Sequence, residues 1–120
     1  MDSMQLRACV GSWPGVTEDI KWGCDLVFSV ADKMFCVIDA TPAAQGGSGR
    51  LSFKVDDDRF LELTDRPGIL PAPYMARAKW ICLAEPGAMS DAELKPLLRR
   101  SYELVRAKLT KAKQRELGEG

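Results

Sequence analysis

"DLVFSVADKMFCVID", Asp25 to Asp39, is the stretch on which the fold turns. In "DLVFSV" the apolar residues Leu26, Phe28 and Val30 recur with a period of two, which is the signature of a strand with those three on one face. "MFCVID" continues the alternation. Met34, Cys36 and Ile38 project to one side and Phe35 and Val37 to the other, so this strand is apolar on both faces and reads as central. Only Ala31-Asp32-Lys33 separates the two runs. A link that short joins antiparallel neighbours, because a parallel pair needs a crossover of a dozen or more residues.

Toward the N-terminus, "GVTEDIKWG" (Gly15 to Gly23) alternates Ile20 and Trp22 with Thr17, Asp19 and Lys21. It reads as a half-buried strand with Ile20 and Trp22 inward, closed by a tight Trp22-Gly23-Cys24-Asp25 connection. Glu18 and Asp19 are adjacent, so on a strand they point to opposite faces and form no close acid pair. Glu18 shares the side of Ile20 and Trp22 and belongs at the sheet margin. Asp19 lies beside Lys21 on the outer face, an exposed pair worth little. Before this strand, Met4 to Ser12 forms a short helix that Pro14-Gly15 ends.

Toward the C-terminus, "TPAAQGGSG" (Thr41 to Gly49) is a long flexible hairpin loop, and "RLSFKV" is a strand with Leu51, Phe53 and Val55 inward and Ser52 and Lys54 outward. Asp56-Asp57-Asp58 opens a helix to about Thr64, with acids suited to the positive end of the helix dipole. "RPGILPAPYMARA" reads as an irregular surface connection anchored by Ile69, Leu70 and Tyr74. "KWICLAE" is the last strand. Ser90 to Glu93 is a capping box, and Leu94, Leu97, Leu98, Tyr102, Val105 and Leu109 then mark one final helix, with a kink or a separate first turn at Pro96. The expected fold is α+β: a two-layer, mostly antiparallel sheet with helices packed on one face, in the order α-β-β-β-β-α-β-α. The 120 residues fit a single domain, 1–120.

Composition narrows the chemistry. There is no histidine, which removes Ser-His-Asp and Cys-His catalysis and the usual neutral-pH base. Cys9, Cys24, Cys36 and Cys82 are scattered, without a Cys-x-x-Cys pair, so a zinc site is not expected. Asp56 to Asp58 diverge at a strand-to-helix junction and read as helix capping, not as an oxygen shell for a metal. "QGGSGR" lacks the lysine of a phosphate loop and precedes a strand. No apolar run is long enough to span a bilayer, and Asp2 sits where a secretory leader would be apolar or basic, so a cytoplasmic location is expected.

The net charge of zero conceals a segregation. Residues 1–94 hold nine Lys/Arg against fourteen Asp/Glu, whereas Lys95 to Arg115 holds eight Lys/Arg against Glu103 alone. A basic C-terminal helix is what backbone phosphates would meet, although cations also gather at helix C-termini for dipole reasons.

"WPGVTEDIKWG", "LVFSVADKMFCVID", "RLSFKVDDDRFLEL", "PGILPAPYMARAKWICL" and "LLRRSYELVRAKL" follow one another as the motifs of the MmcQ/YjbR family do, and the chain resembles that family from about Cys9 to Leu109. The resemblance implies a two-layer α/β fold with an antiparallel sheet and a DNA-binding role, and it brings no catalytic motif. Lys33, Lys54, Lys79, Trp22 and Trp80 fall on the family's recurrent polar or aromatic positions. The long Thr41–Gly49 loop and Cys24 depart from its pattern.

The expectation is therefore a non-enzymatic protein that binds DNA through backbone phosphates, without cofactor or metal, as a monomer or homodimer. Arg50, Lys54, Arg77, Lys79, Arg99 and Arg106 form the candidate interface, with Tyr74 or Trp80 as stacking partners. On its alternation with Cys82, Trp80 also reads as core. Two rivals stand beside this reading. One is an assembly module using the sheet face that carries Phe35 and Val37, and the other is a small-ligand pocket beneath "PGILPAPYMARAKW".

Overall fold

The computed structural model describes residues 1–118. Helix α1 (Ser3–Val10) leads into strands β1 (Val16–Lys21), β2 (Asp25–Val30), β3 (Lys33–Asp39) and β4 (Leu51–Lys54). Helix α2 (Asp57–Thr64), strands β5 (Ile69–Pro71) and β6 (Trp80–Leu83), and helices α3 (Asp91–Arg106) and α4 (Lys111–Leu117) complete it. The strands form one sheet in the order β1-β2-β3-β4-β6-β5, with every neighbour antiparallel. The expected class is present: an α+β architecture with helices on one face of an antiparallel sheet.

The β2–β3 hairpin forms as its brevity required. Val30 pairs with Lys33, leaving Ala31 and Asp32 as a two-residue turn with φ of 48° and 66°. Left-handed residues at both central positions match the twist of a hairpin. The pairing then shifts. Phe28 faces Cys36 but Ser29 faces Met34, so Phe35 is an extra residue, a β-bulge. This corrects the expected faces of β3. Phe35 and Cys36 both turn into the helix-side core, while Met34 and Val37 belong to a smaller cluster on the other face with Ala72, Trp80 and Cys82.

The main core lies between sheet and helices. Leu26, Phe28, Val30, Phe35, Ile38, Leu51, Phe53 and Ile81 meet Leu6, Val10, Leu63, Leu94, Leu98 and Tyr102 there. At its centre Phe35 packs edge-on to Tyr102 at 5.5 Å and stacks on Trp13 at 6.1 Å, and the Arg99 guanidinium lies 5.0 Å from the Trp13 ring. Ser101 is the one buried polar side chain among the described residues; its hydroxyl donates to the Phe35 carbonyl at 2.6 Å and accepts from the Lys54 amide at 3.0 Å.

Other expectations are corrected in detail. Ile20 and Trp22 are not buried: they are 54% and 70% exposed, although Ile20, opposite Leu26, keeps the expected face. β1 is an edge strand, its burial falls away after Val16, and Trp22 sits beyond its end with φ of 51° in a left-handed turn that breaks the alternation. Glu18 is on the helix side, where Arg7 of α1 meets it at 2.9 Å. The connection from Arg66 to Ala78 is not wholly irregular. It contains edge strand β5, in which Ile69 is buried, but Leu70 and Tyr74 are exposed and anchor nothing.

The final helix is two helices, because the chain breaks after Arg106 and Thr110 caps a new start by accepting from the Lys113 amide. Pro96 lies inside one continuous helix, Asp91–Arg106, with no separate first turn. Ser90 caps α3 by accepting from the Glu93 amide, but the Glu93 carboxylate turns away to Arg66 at 2.6 Å. Asp56 likewise makes no side-chain cap. Its carboxylate is gripped by Arg100 from α3, at 2.9 Å, which holds it below the usual carboxylate range. The element order is thus α-β-β-β-β-α-β-β-α-α.

Candidate binding cleft

The residues expected to line phosphates meet different partners within the protein. Arg99 covers the Trp13 and Tyr102 rings at 5.0 and 4.9 Å and meets Glu103 at 3.6 Å. Arg106 donates to the carbonyls of Gln114 and Gly118, satisfying the free end of α4, and its Nε is buried without a hydrogen-bond partner. These two are part of how α3 packs. Lys54 donates to the Ala78 carbonyl, and the Lys79 ammonium lies 5.1 Å from the centre of the Phe60 ring. Burial, then the nearby Lys108 charge, lowers the Lys54 pKa. Arg77 is exposed in the short turn Ala76–Ala78, and Arg50 is exposed at the start of β4. Trp80 is only 4% exposed beneath that turn, so its ring is packed, as its alternation with Cys82 suggested.

The structure places a different feature on the sheet face away from the helices. The chain from Ala72 to Met75 crosses this face and leaves a cleft of about 650 Å³, lined by Trp22, Asp25, Met34, Val37, Ser52, Ala72, Pro73, Tyr74 and Met75. That volume is within the range of small-molecule sites. Tyr74 is fully exposed and Trp22 largely so. Both hold left-handed backbone, with φ of 65° and 51°, which for bulky side chains is uncommon and costly. An adjoining recess shares Asp25, Val37, Ser52 and Pro73 and adds Asp39, Ser48, Arg50 and Cys82.

Local sequence explains the polar wall. Asp39 ends β3, and its oxygens accept from the amides of Thr41 and Ser48 and from the Ser48 hydroxyl, all within 2.9 Å. Those donors tie down the base of the long loop and hold the carboxyl well below its ordinary range, Ser48 contributing most. Asp25 is its cross-strand partner on β2. Burial first, and the Asp39 charge second, push the Asp25 carboxyl up. A raised folded-state pKa means that ionised Asp25 opposes folding above that pKa and is neutral in effect below the unfolded value near 3.9. Asp25→Asn is therefore expected to raise the melting temperature at pH 7 and to leave it unchanged near pH 3. Thermal melts at the two pH values check this, and a lower melting temperature at pH 7 would refute it.

Of the cleft residues, Tyr74 and, in the recess, Arg50 belong to the set expected to meet nucleic acid, and the cleft lies at Ala72 to Met75, within the segment considered for a small-ligand pocket. Trp22, expected in the core, lines the cleft instead. Its signal was the following glycine, since Trp-Gly at a hairpin tip invites left-handed backbone and with it a change of face. Among the described residues no group of three or more acids or cysteines is placed to hold a metal ion. No helix among them is long and apolar enough to cross a membrane.

Fold and cleft together define a small α+β domain with one sheet face covered by helices and the other partly open, rimmed by aromatic side chains. The sequence profile of the YjbR family matches residues 11–104, and the chain belongs to that family. It is similar to the Deinococcus radiodurans protein DR2400, a DUF419 domain, with 31% identity over 99% of this chain and 89% of that one and a TM-score of 0.85. A Pseudomonas syringae protein at 22% identity shares the fold, with a TM-score of 0.71 over 88% of this chain and 99% of its own. No functionally curated protein matches the sequence.

Proposed function

We propose that this YjbR domain is a non-catalytic binding domain whose site is the cleft on the open sheet face. One observation carries the reading: two exposed aromatic residues, Trp22 and Tyr74, are held at unfavourable backbone angles on the rim of an apolar cleft. Exposed aromatics cost solubility and strained backbone costs stability, so their meeting at one place points to use. Met34 and Met75 add adaptable, polarizable walls, while Asp25 and Ser52 offer the few polar groups that orient a ligand. The test is amide chemical-shift mapping against a library of small aromatic compounds. Shifts confined to Trp22, Asp25, Met34, Val37, Ser52, Tyr74 and Met75 support the site. No shift there with any compound at millimolar concentration would remove it.

A second reading, DNA binding through backbone phosphates, is supported by a smaller group of cations. Lys54, Lys79 and Lys108 lie close enough for the two others to depress the Lys54 pKa, and Arg77 is exposed nearby in sequence. Asp56 and Asp57 also bear on Lys54, which weakens that patch as a phosphate site. Anisotropy titrations with single-stranded and duplex DNA at low salt separate the two readings. Binding that weakens steeply with salt and with Lys54→Gln and Lys108→Gln, but not with Trp22→Ala, would favour DNA over the cleft.

A further inference from the structure

Among the residues lining the main cleft only one is charged, and it is an acid. Asp25 makes no hydrogen bond or ion pair with its carboxylate among the described residues. It faces Asp39 directly across β2 and β3, and on its other side the exposed Lys21 of β1, which forms no ion pair with it. Like charges at directly opposed strand positions destabilise a sheet. Asp39 is already committed to the loop through Thr41 and Ser48. The arrangement leaves one half-buried carboxylate, opposed by a second, at the floor of an apolar cleft. The same cleft is lined by the aromatic side chains of Trp22 and Tyr74 and by Met34 and Met75. Aromatic faces attract cations through their quadrupole, most of all weakly hydrated organic ones. An anion entering the same place would meet the Asp25 carboxylate, with Asp39 and Arg50 both in the adjoining recess.

We propose that the cleft binds a free small organic cation, an ammonium group on a flat apolar body, with the ammonium at Asp25 and the body against Trp22 and Tyr74. This rests on the reading of the cleft as the binding site and adds the charge of its ligand. Arg50 makes no ion pair among the described residues and shares the recess with both acids, so it acts as an internal competitor for the same carboxylates. Removing it strengthens the site, whereas removing Asp25 weakens it.

The experiment is a matched series on the whole chain: benzyltrimethylammonium, benzyl alcohol and phenylacetate, followed by chemical-shift titration. The cation is expected to bind about tenfold more tightly than the other two. Asp25→Asn, a variant expected to fold at least as well as the parent, should abolish that preference. Arg50→Gln should tighten the cation severalfold, and Trp22→Ala should weaken all three without lowering the melting temperature. If the alcohol or the acid shifts the cleft residues as strongly as the cation does, the charge assignment is overturned and the cleft reading stands. If none of the three shifts them, the assignment falls, and with a silent library the cleft falls too.

Discussion

Phe35→Ala is expected to lower the free energy of unfolding by about 3–5 kcal/mol, the usual cost of emptying a large aromatic site in a packed core. Phe35 is fully buried, its ring in contact with Tyr102 and Trp13, and Arg99 caps the cluster from solvent. The residue two places on behaves differently. Val37 is half-buried on the opposite face, beside the cleft, so Val37→Ala should cost well under half as much. On a regular strand Phe35 and Val37 would share a face and a similar fate. Urea denaturation of both variants measures the difference, and near-equal losses would mean that the bulge is not in the folded protein.

Ser101→Ala carries the second large effect, about 2–4 kcal/mol, from an atom count that changes by one oxygen. A bulge leaves ladder groups unpaired, and here the Phe35 carbonyl is met by the Ser101 hydroxyl while the Lys54 amide donates to the same oxygen. Alanine orphans both, and each buried unsatisfied group costs about 1–3 kcal/mol. The Lys54 amide is only part-buried, so water can partly replace its partner. Threonine keeps the hydroxyl, and Ser101→Thr should recover stability except for the strain of an added methyl in a full core. A loss below about 0.5 kcal/mol for alanine would show that water enters the site.

Much of the architecture was legible in the residues because it depends on short-range rules. The β2–β3 hairpin follows from period-two alternation around a short link. The burial of Leu51, Phe53 and Val55 follows from the same alternation, and the start of α3 from a serine before an apolar helical stripe. The misreadings of face at Phe35 and Trp22 share a cause, which is parity. Counting alternate residues assigns faces only while the strand stays regular; the bulge at Phe35 and the left-handed turn at Trp22 each shift the count by one. β5 was hidden by its proline and its length of three residues, too short for any period to show.

The candidate site was less legible. A cationic track was expected from charges remote along the chain, Arg50 to Arg106, coming together in space. The basic C-terminal segment instead turns at Ala107 to Thr110, and its arginines meet partners within the protein. Asp56, far along the chain, comes to Arg100; two aromatic rings come to Arg99; the end of α4 comes to Arg106.

By itself the sequence determined the class of fold, the antiparallel hairpins, the helix starts and the absence of histidine chemistry, since all of these are written in residue type and local spacing. Only the tertiary structure decided which face each aromatic occupies, which charges are spent within the protein, and that Trp22, Tyr74 and Asp25 line one cleft. Side chains some fifty residues apart become neighbours through packing, and no local periodicity encodes that distance.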